Sequence, residues 1–320
     1  MTDQEGASPG RRSSSRRLTP HDLQARKGSG EPLVLVTAYD FPTARLAEAA
    51  DVDAILVGDT LGHVVLGHVT TIPVTLDTMV HHLQAVRRGA RRTLVIGDMP
   101  FLTFRTGVLD ALRNAGRLMQ EGNAHAVKLE GGQPVAATTR ALVEAGIPVM
   151  GHIGLTPQSY YQLGGNRLQG QTPSAAHTLL DDALALEDAG CFSIVLEGVP
   201  TEVAAAITER VSVPTIGIAA GPGCDGQVQV LHDLLGFAAG RRTKRHTRQY
   251  AQLDAVIEQA LAEYAADVRA RNFPSEAESF PADEQTLAAL ASWAAPGEHS
   301  DGLGARPLGE GASEPVDADG

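Results

Sequence analysis

Cysteine is almost absent from this sequence, because its 320 residues include only Cys191 and Cys224. Two isolated cysteines exclude a disulfide-stapled scaffold and any CxxC-type zinc or redox centre, and they favour a reducing compartment. Aromatic residues are also scarce, at 4% of the chain. No apolar run approaches the roughly 18 residues that a membrane-spanning helix needs. We therefore expect a soluble, cytoplasmic protein with no membrane contact.

Positive charge is in short supply too. The 26 Lys and Arg residues face 38 Asp and Glu residues, which gives a formal net charge of −12. The excess is uneven, since residues 281–320 carry a net charge of −7 and residues 1–30 a net charge of +3. An acidic body argues against a surface that tracks phosphates, so we expect no nucleic-acid partner. The basic run RRTKRHTR (241–248) is interpreted as a solvated helix face.

Both ends of the chain lack the apolar residues that a folded core requires. Residues 1–17 are rich in Ser, Gly and Arg, and residues 296–320 combine acidic residues with Gly and Pro. Such segments bury too little apolar surface to offset the entropy of ordering. We predict a disordered tail over 1–17, a largely disordered acidic tail over 281–320, and one catalytic domain over 18–280.

Between the tails, short apolar runs alternate with stretches of helical periodicity. The runs are LVLVTAYD (33–40), AILVGD (54–59), TLVIGD (93–98), AVKLE (126–130), PVMGHIG (148–154), FSIVLE (192–197), PTIGIAAG (214–221) and QVQVLHD (227–233). They are nearly continuously apolar, as parallel strands covered on both faces should be. Eight strand–helix repeats predict a (β/α)₈ TIM-type barrel, with a doubly wound open sheet as the alternative. Thr75 and Thr201 stand at predicted helix N-caps.

Titratable residues stand on or next to the ends of six of these runs. They are Asp40, Asp59, Asp98, Glu130, His152 and Glu197. The carboxyl ends of all strands in a parallel barrel open on one face, and that face holds the active site. Burying an unpaired carboxylate costs several kcal/mol, so acids gathered at one rim indicate a bound cation. For any single Asp, a helix N-cap or a turn is the alternative.

The types of these residues suggest roles in metal binding, substrate binding and proton transfer. Asp59, Asp98 and Glu130 supply oxygen donors without Cys or clustered His, which selects a hard ion such as Mg²⁺. Lys128 lies two residues before Glu130 and faces the same side of its strand. Its ammonium could bind a substrate carboxylate, form a Schiff base or serve as a structural ion pair. Glu197 could act as a general base or be purely structural.

The chain contains several sequence blocks in a fixed order, among them VTAYD (36–40), VGDTLG (57–62), AVKLEGG (126–132), GHIGLTPQS (151–159) and VLEGVP (195–200). From about residue 18 to 280, these blocks resemble the ketopantoate hydroxymethyltransferase family. The resemblance implies a barrel of the phosphoenolpyruvate-binding type that assembles as a large homo-oligomer, usually a decamer. It also implies transfer of a hydroxymethyl group from 5,10-methylenetetrahydrofolate to 3-methyl-2-oxobutanoate through a Mg²⁺-stabilised enolate, giving 2-dehydropantoate for pantothenate and coenzyme A biosynthesis.

The same resemblance assigns residues by motif. The implied Mg²⁺ ligands are Asp59, Asp98 and Glu130. The implied substrate-binding residues are Asp59, Thr60, Asp98 and Lys128. Glu197 is the implied proton acceptor, and His152 has a supporting role.

Some positions depart from the family pattern. Thr60 replaces the Ser that commonly follows the metal-binding Asp, Gln171 replaces an Arg, and Ala219 replaces a Gly. None of these changes removes an implied ligand or the base. One alternative is a Mg²⁺-dependent 2-oxo acid lyase or mutase of the isocitrate lyase or phosphoenolpyruvate mutase type, although no reactive-cysteine loop resembling KKCGH is found. The other is a non-catalytic paralogue, against which the complete set of candidate residues argues.

Overall fold

The computed structural model describes residues 17–237, 240 and 244–291. Most of the predicted N-terminal tail and residues 292–320 of the predicted acidic tail lie outside this described part. The chain divides into two units, Met1–Glu258 and Gln259–Gly320. The second unit includes a helix, Glu284–Ala291, within the segment that we predicted to be largely disordered. In the described ranges, no helix has the length and apolar character needed to span a membrane.

Eight parallel strands in the first unit form a closed barrel in chain order. They are β1 (Leu33–Thr37), β2 (Ala54–Val57), β3 (Leu94–Asp98), β4 (Ala126–Glu130), β5 (Val149–Gly154), β6 (Ser193–Glu197), β7 (Thr215–Ile218) and β8 (Gly226–Gln229). Closure is made by β1, which pairs with β8 on one side and with β2 on the other. The predicted barrel is therefore confirmed over the open sheet. The last strand ends four residues before the predicted run does.

Helices alternate with the strands in most of the first unit. The described helices are α1 (Pro20–Gln24), α2 (Phe41–Ala49), α3 (Leu61–Val64), α4 (Leu76–Gly89), α5 (Val108–Gln120), α6 (Gln133–Glu144), α7 (Tyr160–Leu163), α8 (Pro173–Asp188), α9 (Thr201–Arg210), α10 (Leu231–Leu235), α11 (Leu253–Ala270) and α12 (Glu284–Ala291). The described part of the basic run, residues 244–248, contains no helix, so its interpretation as a helix face was wrong. A short 3₁₀ helix, Pro157–Ser159, follows β5.

The apolar residues separate into two clusters because successive strand residues point to opposite faces of the sheet. Leu35, Leu56 and Ile96 belong to the cluster inside the barrel. Ile55 and Val95, their neighbours along the strands, belong to the cluster between strands and helices. The near-continuous apolar runs therefore reflect burial on both faces.

The two predicted N-caps have different outcomes. The Thr75 hydroxyl accepts a hydrogen bond from the Thr78 N–H at 3.2 Å, which confirms the N-cap of α4. The prediction for Thr201 was wrong, because Pro200 is the N-cap of α9 and Thr201 is its first helical residue. The Pro200 carbonyl already accepts from the Ala204 N–H, so this helix begins one residue earlier than its sequence suggests.

Gly154, at the end of β5, lies where the chain approaches the end of β6 closely. Its φ is +94°, and a methyl group there would overlap the Glu197 carbonyl oxygen. We expect Gly154→Ala to lower the free energy of unfolding by about 3 kcal/mol, since backbone strain and overlap add. Gly146→Ala is the control, because Gly146 has a φ of +85° and open space around it, and about 1 kcal/mol is expected. If urea denaturation gives the same loss of unfolding free energy for both variants, the close approach at Gly154 does not contribute to the effect.

Candidate active site

A cavity of about 40 Å³ lies at the carboxyl ends of the strands, and we call it the inner cavity. Each of the eight strands contributes at least one residue to its wall. The predicted residues that line it are Asp59, Thr60, Asp98, Lys128, Glu130, His152 and Glu197. Asp40 is outside this group, because its side chain accepts from the Thr43 N–H at 2.8 Å and caps α2. For Asp40, the alternative of a helix N-cap was therefore correct.

Asp59 and Asp98 follow neighbouring strands and meet at the inner cavity. An Asp98 carboxylate oxygen accepts from the Asp59 N–H at 3.2 Å, and both side chains are buried. Burial, together with the charges of Asp98 and Glu130, raises the pKa of Asp59 well above its usual value. Burial also raises the pKa of Asp98, although Lys128 opposes the shift. Two buried carboxylates that resist ionisation together form a site that favours a cation.

Lys128 supplies a buried positive charge to the inner cavity. Its Nζ donates to Asp98 Oδ1 at 2.6 Å and lies 3.9 Å from Glu130 Oε1. Burial alone would lower the pKa of Lys128, but the charges of Asp98, Glu130 and Asp59 outweigh it and raise the pKa above its usual value. The side chain is therefore a fixed ammonium at neutral pH.

His152 lies between two glutamates. Its Nδ1 is 3.5 Å from Glu130 Oε1, and its Nε2 is 3.3 Å from Glu197 Oε2. Burial and Lys128 would lower the pKa of His152, but the two glutamates raise it to about 9. The imidazole is thus cationic at neutral pH. Glu197 is the least buried of these acids, with 22% of its side chain exposed.

Gln158 is a site residue that sequence reasoning missed. Its side-chain amide donates to Asp59 Oδ2 at 3.0 Å and to the Met99 carbonyl at 2.9 Å. Its backbone N–H donates to Glu130 Oε2 at 3.0 Å. One buried residue on the 3₁₀ helix after β5 therefore fixes two of the predicted metal-binding carboxylates. Gln158 belongs to the block GHIGLTPQS, but a single Gln between a strand and a helix gives no sequence signal that it binds site residues.

The charged groups around the inner cavity leave a negative charge that a divalent cation would neutralise. The negative groups, at full ionisation, are Asp59, Asp98, Glu130 and Glu197. Lys128 and protonated His152 offset two of these four charges. The remaining formal charge of −2 in a buried site matches a divalent ion, and carboxylate oxygens suit Mg²⁺.

The expected set of three carboxylate ligands is not assembled in this arrangement. Among the described residues, no three His, Cys, Asp or Glu side chains are grouped to hold a metal ion. The physical reason is that Glu130 is held by His152 and Gln158, with the Lys128 ammonium between it and Asp98. The ligand roles of Asp59, Asp98 and Glu130 therefore all stay predictions.

A second, larger cavity of about 320 Å³ adjoins the first, and we call it the outer cavity. Thr60, Pro157 and Glu197 line both cavities. The Thr60 hydroxyl makes no capping hydrogen bond at the start of α3. Glu197 therefore stands at the junction of a small, charged cavity and a large one.

These features define a class of protein. It is a (β/α)₈-barrel enzyme whose acids, lysine and histidine converge at the carboxyl ends of the strands, where such barrels place their active sites. A model of the family described as ketopantoate hydroxymethyltransferase matches residues 17–276. The chain belongs to that family.

Curated relatives agree over nearly their whole length. The chain is 53% identical over 273 residues to a 3-methyl-2-oxobutanoate hydroxymethyltransferase from Chloroflexus aurantiacus, covering 85% of this chain and 96% of the relative. It is 52% identical over 274 residues to the enzyme of that name from Dehalococcoides mccartyi, covering 86% and 98%. The relative from Nitratidesulfovibrio vulgaris is 50% identical over 283 residues, covering 88% and 92%.

Solved structures of other enzymes share the fold. A phosphoenolpyruvate phosphomutase from Streptomyces platensis subsp. rosaceus superposes with a TM-score of 0.53 at 14% identity, covering 86% of this chain and 95% of that one. A phosphonopyruvate hydrolase in complex with oxalate and Mg²⁺ gives a TM-score of 0.51 at 15% identity, with the same coverage. At these identities the likeness shows the fold alone, which is the barrel type expected from the sequence.

Proposed function

We propose that this enzyme transfers a hydroxymethyl group from 5,10-methylenetetrahydrofolate to 3-methyl-2-oxobutanoate, forming 2-dehydropantoate for pantothenate biosynthesis. The observation that carries the proposal is the position of Glu197, a partly exposed carboxylate that borders both cavities. A base between an acceptor site and a donor site is what a transfer to an enolate carbon needs. Membership of the family supports the choice of substrates.

Asp59 and Asp98 are the residues that would hold Mg²⁺ in the inner cavity, with Glu130 as a predicted third ligand. Bound there, Mg²⁺ would polarise the keto group of the 2-oxo acid and make the hydrogen on C3 more acidic. Gln158 keeps the Asp59 carboxylate in position through its 3.0 Å hydrogen bond.

Lys128 binds the carboxylate of the 2-oxo acid in this proposal. Its raised pKa and its contact with Asp98 keep the amine protonated, so it is a charge partner and not the nucleophile of a Schiff base. Of the three roles that the sequence left open for Lys128, the fixed charge argues against the Schiff base. The side chain forms a structural ion pair with Asp98 and also lines the inner cavity, which supports its proposed role in binding a carboxylate. The ammonium fixes the orientation of the acid so that C3 faces Glu197.

Glu197 removes the proton from C3 and leaves an enolate. Cationic His152 lies at ion-pair distance, 3.3 Å, from Glu197 Oε2, and in this proposal the other carboxylate oxygen receives the proton. The nucleophilic C3 then bonds to the methylene carbon of the folate as the bond from that carbon to one folate nitrogen breaks, and this nitrogen takes up the proton that left C3. Water then replaces the second folate nitrogen on the same carbon, giving the hydroxyl to the product and a proton to that nitrogen. Because the product carries a hydroxymethyl group, the overall reaction consumes one water molecule and releases tetrahydrofolate.

Two measurements test this function. With Mg²⁺ and no folate, the purified protein should exchange the C3 hydrogen of 3-methyl-2-oxobutanoate for deuterium, followed by NMR. With 5,10-methylenetetrahydrofolate added, it should form 2-dehydropantoate, detected by mass spectrometry. Absence of both signals would indicate a non-catalytic paralogue. Cleavage of a 2-oxo acid derivative without folate would indicate a lyase or mutase.

Replacing Gln158 tests how the site is held together. We expect Gln158→Met to weaken Mg²⁺ binding about tenfold in calorimetry, because residues that orient metal ligands typically matter by 10- to 100-fold. Gln84→Met is the matched control, since the Gln84 amide donates to the Glu121 carbonyl at 3.0 Å on the surface. Unchanged Mg²⁺ affinity in Gln158→Met would mean that Asp59 does not depend on this hydrogen bond.

A further inference from the structure

The outer cavity is the larger space that reaches the base. It encloses about 320 Å³, against about 40 Å³ for the inner cavity. Glu197 and Thr60 belong to both walls, so a ligand in the outer cavity touches the group that activates the acceptor. A bulky donor of one carbon therefore has room in the outer cavity and not in the inner one.

The walls of the outer cavity differ in chemistry from one part to another. Leu155, Pro157 and Leu168 give it apolar surface. Arg167 and Lys244 give it positive charge, and both are exposed. Lys244 Nζ lies 3.2 Å from Asp233 Oδ2, whereas among the described residues no carboxylate forms an ion pair with Arg167. Arg167 is thus the more available of the two cations.

These two kinds of wall match the two parts of a reduced folate. The faces of its pterin ring and aminobenzoyl group are mostly apolar, and its glutamate tail carries carboxylates. Apolar surface near the partly exposed Glu197 suits the ring, and exposed cations suit the tail. Arg is well suited to binding carboxylates because its guanidinium offers two parallel N–H donors.

We propose that the outer cavity binds the tetrahydrofolate co-substrate, with its ring system against Leu155, Pro157 and Leu168 and its glutamate carboxylates at Arg167 and Lys244. This inference rests on the proposed function. It adds the location of the donor and the residues that select it. Arg167 then determines the affinity for folate and takes no part in removing the proton from C3 of the keto acid.

Calorimetry with two probes tests the proposal. One probe is tetrahydrofolate, and the other is 6-methyltetrahydropterin, which has the reduced ring but no glutamate tail. We expect Arg167→Ala to weaken tetrahydrofolate binding about tenfold and to change binding of the tail-less pterin less than twofold. Leu168→Asp should weaken both probes. Arg210→Ala is the control, since Arg210 is an exposed arginine outside the outer cavity, and it should change neither.

The outcomes separate this inference from the proposed function. If the unaltered protein binds tetrahydrofolate and Arg167→Ala binds it equally well, the assignment of Arg167 is overturned while the function stands. If Arg167→Ala weakens both probes equally, recognition of the tail carboxylates is overturned. If the unaltered protein binds 3-methyl-2-oxobutanoate but no tetrahydrofolate, the proposed function itself fails.

Discussion

Glu197→Gln is expected to lower the rate of C3 hydrogen exchange in 3-methyl-2-oxobutanoate by 10²- to 10⁴-fold, the usual contribution of a positioned base. The amide keeps the size of the side chain and its place beside His152 but cannot accept the proton. Binding of the keto acid in the presence of Mg²⁺ should change little, because Asp59, Asp98 and Lys128 remain. NMR exchange and calorimetry on the same preparation separate the two effects.

The matched control is Glu202→Gln, which changes an exposed carboxylate in the first turn of α9. It should exchange at the rate of the unaltered protein. Normal exchange in Glu197→Gln would show that another group takes the proton, and the role assigned to Glu197 would have to be abandoned. Loss of keto acid binding along with exchange would instead point to a structural carboxylate.

Lys128→Met is expected to lower both stability and substrate affinity. Without Mg²⁺, removal of the ammonium leaves the buried Asp98 carboxylate without its ion-pair partner, and the free energy of unfolding should fall by about 3 kcal/mol. Affinity for the keto acid should fall about a hundredfold, because a charge-assisted contact to its carboxylate is lost. Urea denaturation in the presence of a chelator and calorimetry with Mg²⁺ measure these two effects.

Lys27→Met is the control for Lys128→Met. Lys27 Nζ lies 2.8 Å from Asp225 Oδ2, but both side chains are partly exposed. Because solvent still reaches this pair, the expected loss is about 1 kcal/mol, and keto acid affinity should be unchanged. If the two variants lose the same stability, the burial of Lys128 is not what makes its charge important.

Much of the site could be predicted from the positions at which strands end. Asp59, Asp98, Glu130 and Glu197 follow apolar runs, and the parallel barrel brings such positions to one rim whatever their separation in sequence. The same rule placed Asp40 there, wrongly, because its carboxylate turns away to cap α2. A position at the end of a strand predicts that the residue lies at the rim of the barrel, but it does not predict where the side chain points.

The sequence by itself determined the repeating order of strands and helices, the barrel and the set of titratable residues at its mouth. The hydrophobic periodicity of helices and the continuous apolar runs of buried strands are local properties, so they can be read from one sequence. Only the tertiary structure decided that Gln158 joins Asp59 to Glu130, that Lys128 separates Glu130 from Asp98, and that Glu197 borders two cavities. Those contacts join residues far apart in the chain, and they depend on ångström-scale distances that no local pattern encodes.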